Sequence, residues 1–237
     1  MALPMSSAPT YTLTVPSTGA QVKYRPFLVK EEKALMIAQQ SEDPVVMVET
    51  LKNVIQACVV GDIDASKLAT FDLEYIFTQL RAKSVGEIVD LNAKCDDCED
   101  DKAVTVVKID LTKLEVQKNP EHTNKIELFD DVGVVLKYPS IDIIKKMESM
   151  DPTDVEQVFD IVVGCVDYIY NSQEVFYAKD QTKEELTEFL NNLTNEQFQK
   201  VQSFFETMPK LSKEIEYDCP VCRKHHVKVL AGLQSFF

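Results

Sequence analysis

Two Cys-x-x-Cys pairs stand far apart in this chain: Cys95 and Cys98 in AKCDDCED, Cys219 and Cys222 in YDCPVCRKHH. Each pair is flanked by segments that read as strands, so each reads as the turn of a strand–turn–strand knuckle. Four thiolates on two such knuckles are the donor set of a tetrahedral zinc ion with no open coordination position, a structural site rather than a catalytic one. If one ion takes all four, the closure pins distant stretches together and organises the fold between them. Other readings of the same residues stay open. His225 or His226, which follow the second pair, can stand in for a cysteine ligand, and the thiols can remain reduced without metal. A dithiol redox centre is disfavoured, because that chemistry wants its CxxC at the start of a helix. The acids around the first pair, Asp96, Asp97, Glu99, Asp100 and Asp101, oppose thiolates that have no cation beside them, which agrees with metal binding.

The 237 residues carry 39 acidic and 25 basic side chains, a formal net charge of −14. That field opposes unspecific binding to nucleic acid or to an anionic membrane, and RKHH at 223–226 is too short to counter it. No run of eighteen apolar residues is present, so no membrane span is expected. The N-terminal stretch MALPMSSAPTYTLTVPSTG lacks the basic start and apolar run of a secretory signal. Cys58 and Cys165 fall in apolar helical patterns and read as buried free thiols, which fits a reducing intracellular compartment.

The hydrophobic period alternates between two and near four along the chain. Residues 10–25 read as a hairpin. KEEKALMIAQQ (30–40) reads as a helix with Leu35, Met36 and Ala38 near one face. A second helix opens at Asp43-Pro44, a cap followed by proline at the first helical position, and runs through Val60 to Gly61. FDLEYIFTQLRAKS (71–84) reads as a third helix that buries Leu73, Ile76, Phe77 and Leu80. Strands flank the first knuckle, and KIELFDDVGVVLKYP (125–139) reads as a hairpin with its tip at 130–133. Helices follow at 140–150 and from Asp151-Pro152 through Asn171. Two more open with the capping boxes Thr182/Glu185 and Thr194/Gln197. Strands then flank the second knuckle.

The expected fold class is therefore α+β, with β-hairpins carrying zinc-ribbon-like CxxC knuckles plus helical N-terminal and central segments. The expected divisions are an N-terminal hairpin and three-helix segment (1–84), a β module of 85–139 with 211–237, and a helical insertion (140–210).

Catalytic constellations are missing from the sequence: there is no phosphate-binding glycine loop, GxSxG, HExxH or GxGxxG. His122, in a polar connection, reads as solvated, and Asp62 and Asp64 lack the remaining ligands of a calcium loop. The expectation is a non-enzyme that works through surfaces. Lys23 to Leu28 has an interface composition, although a strand end packing on the core explains it equally. Leu233, Phe236 and Phe237 form an apolar tail that either docks on its own domain or enters a partner.

The phrases YRPFLVKEEKALMIA (24–38) and LATFDLEYIFTQLRAKSVGE (68–87), the CxxC that follows and the late DCPVCRKHH together resemble the baseplate hub assembly proteins of T-even-like contractile-tailed bacteriophages. The resemblance spans residues 10–230. It implies a protein of virion assembly, acting in the host cytoplasm on the central hub of the tail baseplate, with other hub or tail proteins as partners and neither nucleic acid nor membrane. It leaves open whether the protein stays in the virion as a permanent subunit. From a different class, a zinc-ribbon nucleic-acid-binding module is the runner-up.

Overall fold

A computed structural model describes residues 8–61, 63–141, 143, 145, 155–232 and 235. Two compact units emerge: one takes in the chain up to Ala65, Phe71–Gln117 and the chain from Lys210 onward, the other Ser66–Thr70 and Lys118–Pro209. The first unit is thus discontinuous, and most of the second is inserted in it.

The first unit opens with the antiparallel hairpin β1 (Tyr11–Thr14) and β2 (Gln21–Tyr24), whose turn places Gly19 at φ +71. Helix α1 (Val29–Gln40) follows, with the Glu31 carboxylate accepting the Leu28 N–H at 2.7 Å and pairing with Arg25 at 3.0 Å. Its buried residues are Glu31 and Ala38, one face two turns long, and Met36 points outward with 58% of its surface exposed. That corrects the reading of Met36 on one face with Ala38, since it sits about 100° around the helix from Leu35.

Helix α2 (Pro44–Cys58) is capped by Asp43, whose side chain accepts the Val45 N–H at 2.9 Å. It stops before Val59–Val60, which form β3 and pair with Tyr24 and Lys23. The helix pattern expected through Val60 therefore ends early, because the two β-branched residues fit the open edge of β2. Within Lys23 to Leu28 the middle packs inward: Tyr24 is buried, Arg25 donates to Cys58 Sγ and the Ala57 carbonyl, and Phe27 stacks on Phe77, while Lys23 and Leu28 are exposed.

Helix α3 (Thr70–Ser84) buries Leu73, Ile76, Phe77 and Leu80 as its pattern predicts. Strands β4 (Ile88–Lys94) and β5 (Val104–Asp110) pair antiparallel along their whole length, and β6 (Val116–Gln117) closes this part of the unit.

The second unit is built on a four-stranded antiparallel sheet. Strands β7 (Lys125–Phe129) and β8 (Val132–Leu136) turn at Asp130-Asp131, with Asp130 at φ 44. Helix α4 (Val155–Gly164) then feeds β9 (Val166–Tyr170) and β10 (Val175–Tyr177), giving the order β10-β9-β8-β7. Helices α5 (Lys183–Asn191) and α6 (Asn195–Thr207) each open on the expected capping box, at Thr182/Glu185 and Thr194/Gln197. Ile126, Leu128, Val134, Leu136 and Ile169 pack with Leu186, Leu190, Val201 and Phe204 in its core.

This corrects the reading of 140–210 as a helical insertion. The hairpin at 125–136 belongs to the same unit, and Val166–Tyr170 is a strand. Spacing misled here for a physical reason. Leu136 pairs with Val166 and Val135 with Tyr168, so Asp167 is an extra residue in a bulge. The bulge brings Val166 and Ile169 to one apolar core at a spacing of three, which imitates a helix. Most of the helix expected at 140–150 and the Asp151-Pro152 start lie outside the described residues, as do Asp62, Leu233, Phe236 and Phe237.

The chain returns to the first unit through β11 (Lys210–Asp218), which pairs with β6 at one end, and β12 (His225–Ala231), which runs antiparallel to β11 from Ser212↔Ala231 to Asp218↔His225. Ile109, Leu111, Leu211, Ile215, Tyr217 and Leu230 form the core beneath these strands.

Candidate metal centre

The two cysteine turns are built alike. In the first, the Cys95 N–H donates to the Ala103 carbonyl at 2.9 Å and closes the end of the β4–β5 ladder. In the second, the Cys219 N–H donates to the Lys224 carbonyl at 2.9 Å, and the Arg223 N–H returns to the Cys219 carbonyl at 3.0 Å. Arg223 adopts φ 59, the left-handed conformation that lets so short a turn reverse the chain.

Side chains hold the two hairpins in place. Tyr217 Oη donates to the Lys94 carbonyl at 2.8 Å, and Thr105 Oγ1 donates to the Asp218 carbonyl at 2.8 Å. Lys224 Nζ sits 3.2 Å from Asp97 Oδ2 across the knuckles.

These contacts bring Cys95, Cys98, Cys219 and Cys222 together with their four sulfurs within 4.8 Å of one another. Zinc–sulfur bonds of about 2.3 Å at tetrahedral angles require sulfurs about 3.8 Å apart. Cys95 to Cys222 and Cys98 to Cys219 both measure 3.8 Å. The residues thus fit a tetrahedral thiolate-loving cation, and all four sulfurs would be used, leaving no position for a substrate.

Electrostatics point the same way. The hydrogen bond with Cys222, and burial after it, push the Cys98 thiol up to about 12. Burial also raises Cys95. At Cys219 burial opposes ionisation, but the backbone N–H groups of Cys222 and Val221 outweigh it and bring the thiol down to about 7. Four thiolates this close repel one another, and a dication between them would offset that repulsion.

The histidines considered as substitutes take other partners. His225 turns to Asp218, 2.9 Å from Nδ1 to Oδ1. His226 Nε2 lies 3.2 Å from Cys95 Sγ, while its ring stacks on Tyr217. The sulfurs complete the set without either ring. His122 is not solvated, contrary to expectation: it lies among Tyr138, Thr207 and Phe204, with Nδ1 2.9 Å from Thr207 Oγ1 and Nε2 3.0 Å from Tyr138 Oη. No local pattern around KNPEHTN announces those partners. Tyr217 has a signal in the alternation of β11, where it follows Leu211 and Ile215 inward, whereas β12 has none for His226, since its Val227 and Val229 are exposed.

Residues 8–237 match the family described as T4 bacteriophage base plate protein. The chain belongs to this family. It is accordingly a bacteriophage baseplate protein, structural or engaged in assembly, working among other proteins of the phage tail. No curated protein and no solved structure matches it. Among the described residues, no helix is long and apolar enough to cross a membrane.

Proposed function

We propose that this baseplate protein is a non-enzymatic factor in assembly of the central hub of the baseplate, and that its four-cysteine centre holds one structural zinc ion. The observation that carries the metal reading is the 3.8 Å spacing of two sulfur pairs drawn from both knuckles. Membership of the baseplate family supports the assembly role, and the phrases at 24–38 and 68–87 support the hub as its place. The chain acts in the host cytoplasm, where its net charge of −14 suits it to cover basic patches on hub subunits until they are used. The same charge opposes the nucleic-acid-binding alternative.

The family description favours a second reading, a permanent baseplate subunit. Mass spectrometry of purified virions separates the two: absence from the finished particle supports an assembly factor, and a stoichiometric amount supports a subunit. Elemental analysis of the purified chain tests the metal, with one zinc per chain expected. No metal, or metal kept after loss of a whole CxxC pair, overturns the shared site.

A further inference from the structure

We infer that His226 is a positioning residue of the metal centre, donating its Nε2–H to the Cys95 thiolate from the opposite hairpin; the inference rests on the metal reading above. The two knuckles differ in their sulfur partners. Cys219 Sγ receives the backbone N–H groups of Val221 at 3.4 Å and Cys222 at 3.5 Å. At Cys95 Sγ the nitrogen donor within reach is His226 Nε2, at 3.2 Å, where Cys219 has backbone amides.

Position separates donor from ligand. A nitrogen on the same zinc lies about 3.5 Å from each sulfur bound there, given bonds of about 2.0 and 2.3 Å. His226 Nε2 approaches Cys95 Sγ at 3.2 Å and groups with Cys95 and Asp97, not with the other three sulfurs. The ring is also fixed independently of any metal: His226 pairs with Tyr217 across β11 and β12, and the rings stack at 5.2 Å and 19°. Tyr217 in turn is tied to the Lys94 carbonyl, one residue from Cys95. Asp97 also approaches this corner, but its carboxylate pairs with Lys224.

Cys95 is 2% exposed, so water cannot supply the missing donor. Four thiolates around one dication leave a net charge of −2 that buried donors must spread. A donor of this kind sets sulfur orientation and metal affinity, and its loss typically weakens binding about 10- to 100-fold.

The test uses the full chain. Zinc affinity is measured by competition with a chelator for wild type, His226→Leu and His226→Gln, with the thiolate-to-cobalt absorption of the Co2+ form reporting the sulfur count. The expected result is a 10- to 100-fold weaker site in H226L with its sulfur count unchanged, and partial recovery in H226Q, whose amide N–H reaches a similar place. Equal affinity in wild type and H226L overturns the inference and leaves the metal reading intact. No thiolate–cobalt band in wild type overturns the metal reading itself. Should H226L fail to fold, the wild-type chain loaded with 113Cd decides. Coupling of the His226 Nε2 proton to the metal through sulfur is expected, and either a direct cadmium–nitrogen bond or an unprotonated Nε2 refutes it.

Discussion

Replacing Gly133 by alanine puts a methyl group where the Tyr170 ring already lies. Gly133 and Tyr170 are direct partners in β8 and β9. An added Cβ would sit 2.3 Å from Tyr170 Oη, 2.4 Å from Cζ and 2.7 Å from the Ile126 carbonyl oxygen. The ring can swing aside only by leaving Lys125, whose Nζ lies 4.9 Å from its centroid, and the carbonyl is fixed in the β7–β8 ladder. Overpacking of this kind costs about 1–3 kcal/mol, and three contacts inside the limit favour the upper end. Loss of glycine's freedom in the unfolded chain offsets about 0.4–1 kcal/mol. The net is about 2 kcal/mol, roughly thirtyfold in the local folding equilibrium.

The Tyr170 hydroxyl sharpens the test, because it is buried with no hydrogen-bond partner among the described residues. Tyr170→Phe alone should stabilise by about 1 kcal/mol. Combined with Gly133→Ala it should not rescue, since Cζ remains in the way; Tyr170→Ala should rescue in part, leaving the carbonyl contact. Hydrogen exchange at the Val134 and Ile169 amides reads the local equilibrium, and urea denaturation reads the whole. A Gly133→Ala variant within 0.5 kcal/mol of wild type would refute the packing argument.

Burial holds the His122 imidazole below its ordinary pKa, so the unfolded chain takes up the proton first as pH falls. Its contribution is whole above the unfolded-state value and lost as pH drops through the folded one. Melting between pH 7 and 5 should therefore fall more steeply in wild type than in His122→Phe, which keeps the ring stack, and parallel profiles would count against the buried neutral ring. Burial also pushes Cys58 up to about 11 and Cys165 up to about 12. Native iodoacetamide labelling, read by mass spectrometry, should spare both, while the exposed Cys222 reacts once a chelator is present; ready labelling of Cys165 in the folded chain would contradict its burial between α4 and β9.

What could be read from the sequence was local and chemically explicit. Asp43-Pro44 and the Thr182/Glu185 and Thr194/Gln197 boxes each announce a helix start, because the side chain that satisfies the free N–H groups is a few residues away. The cysteine turns announce themselves likewise. Features that depend on partners far along the chain were hidden. β3 is a strand only because β2 offers an edge, and Val166 with Ile169 imitates a helix because a bulge at Asp167 cancels the odd spacing. His122 was misread because Thr207 and Tyr138 reach it from 85 and 16 residues away. The fourfold meeting of cysteines is equally distant, yet it was legible, since thiols at that spacing have few other uses.

The position of the cysteine cluster follows from how the first unit is threaded. Its chain leaves at Gln117 and returns at Lys210, and those two residues pair in the short β6–β11 ladder. Two strand residues are little to hold the base of so long an excursion. The cysteines close the same excursion from the far end of β11, joining positions 121 and 127 apart. For a permanent cross-link of that span the chain-entropy expression gives about 5 kcal/mol, comparable to the net stability of a small domain. An exchangeable ion delivers such stabilisation only while its free concentration exceeds its dissociation constant. An ion held there would join the two hairpins of the first unit only as firmly as its affinity allows, and a donor at His226 would act on that affinity. Such a centre would serve the protein by keeping a discontinuous unit intact.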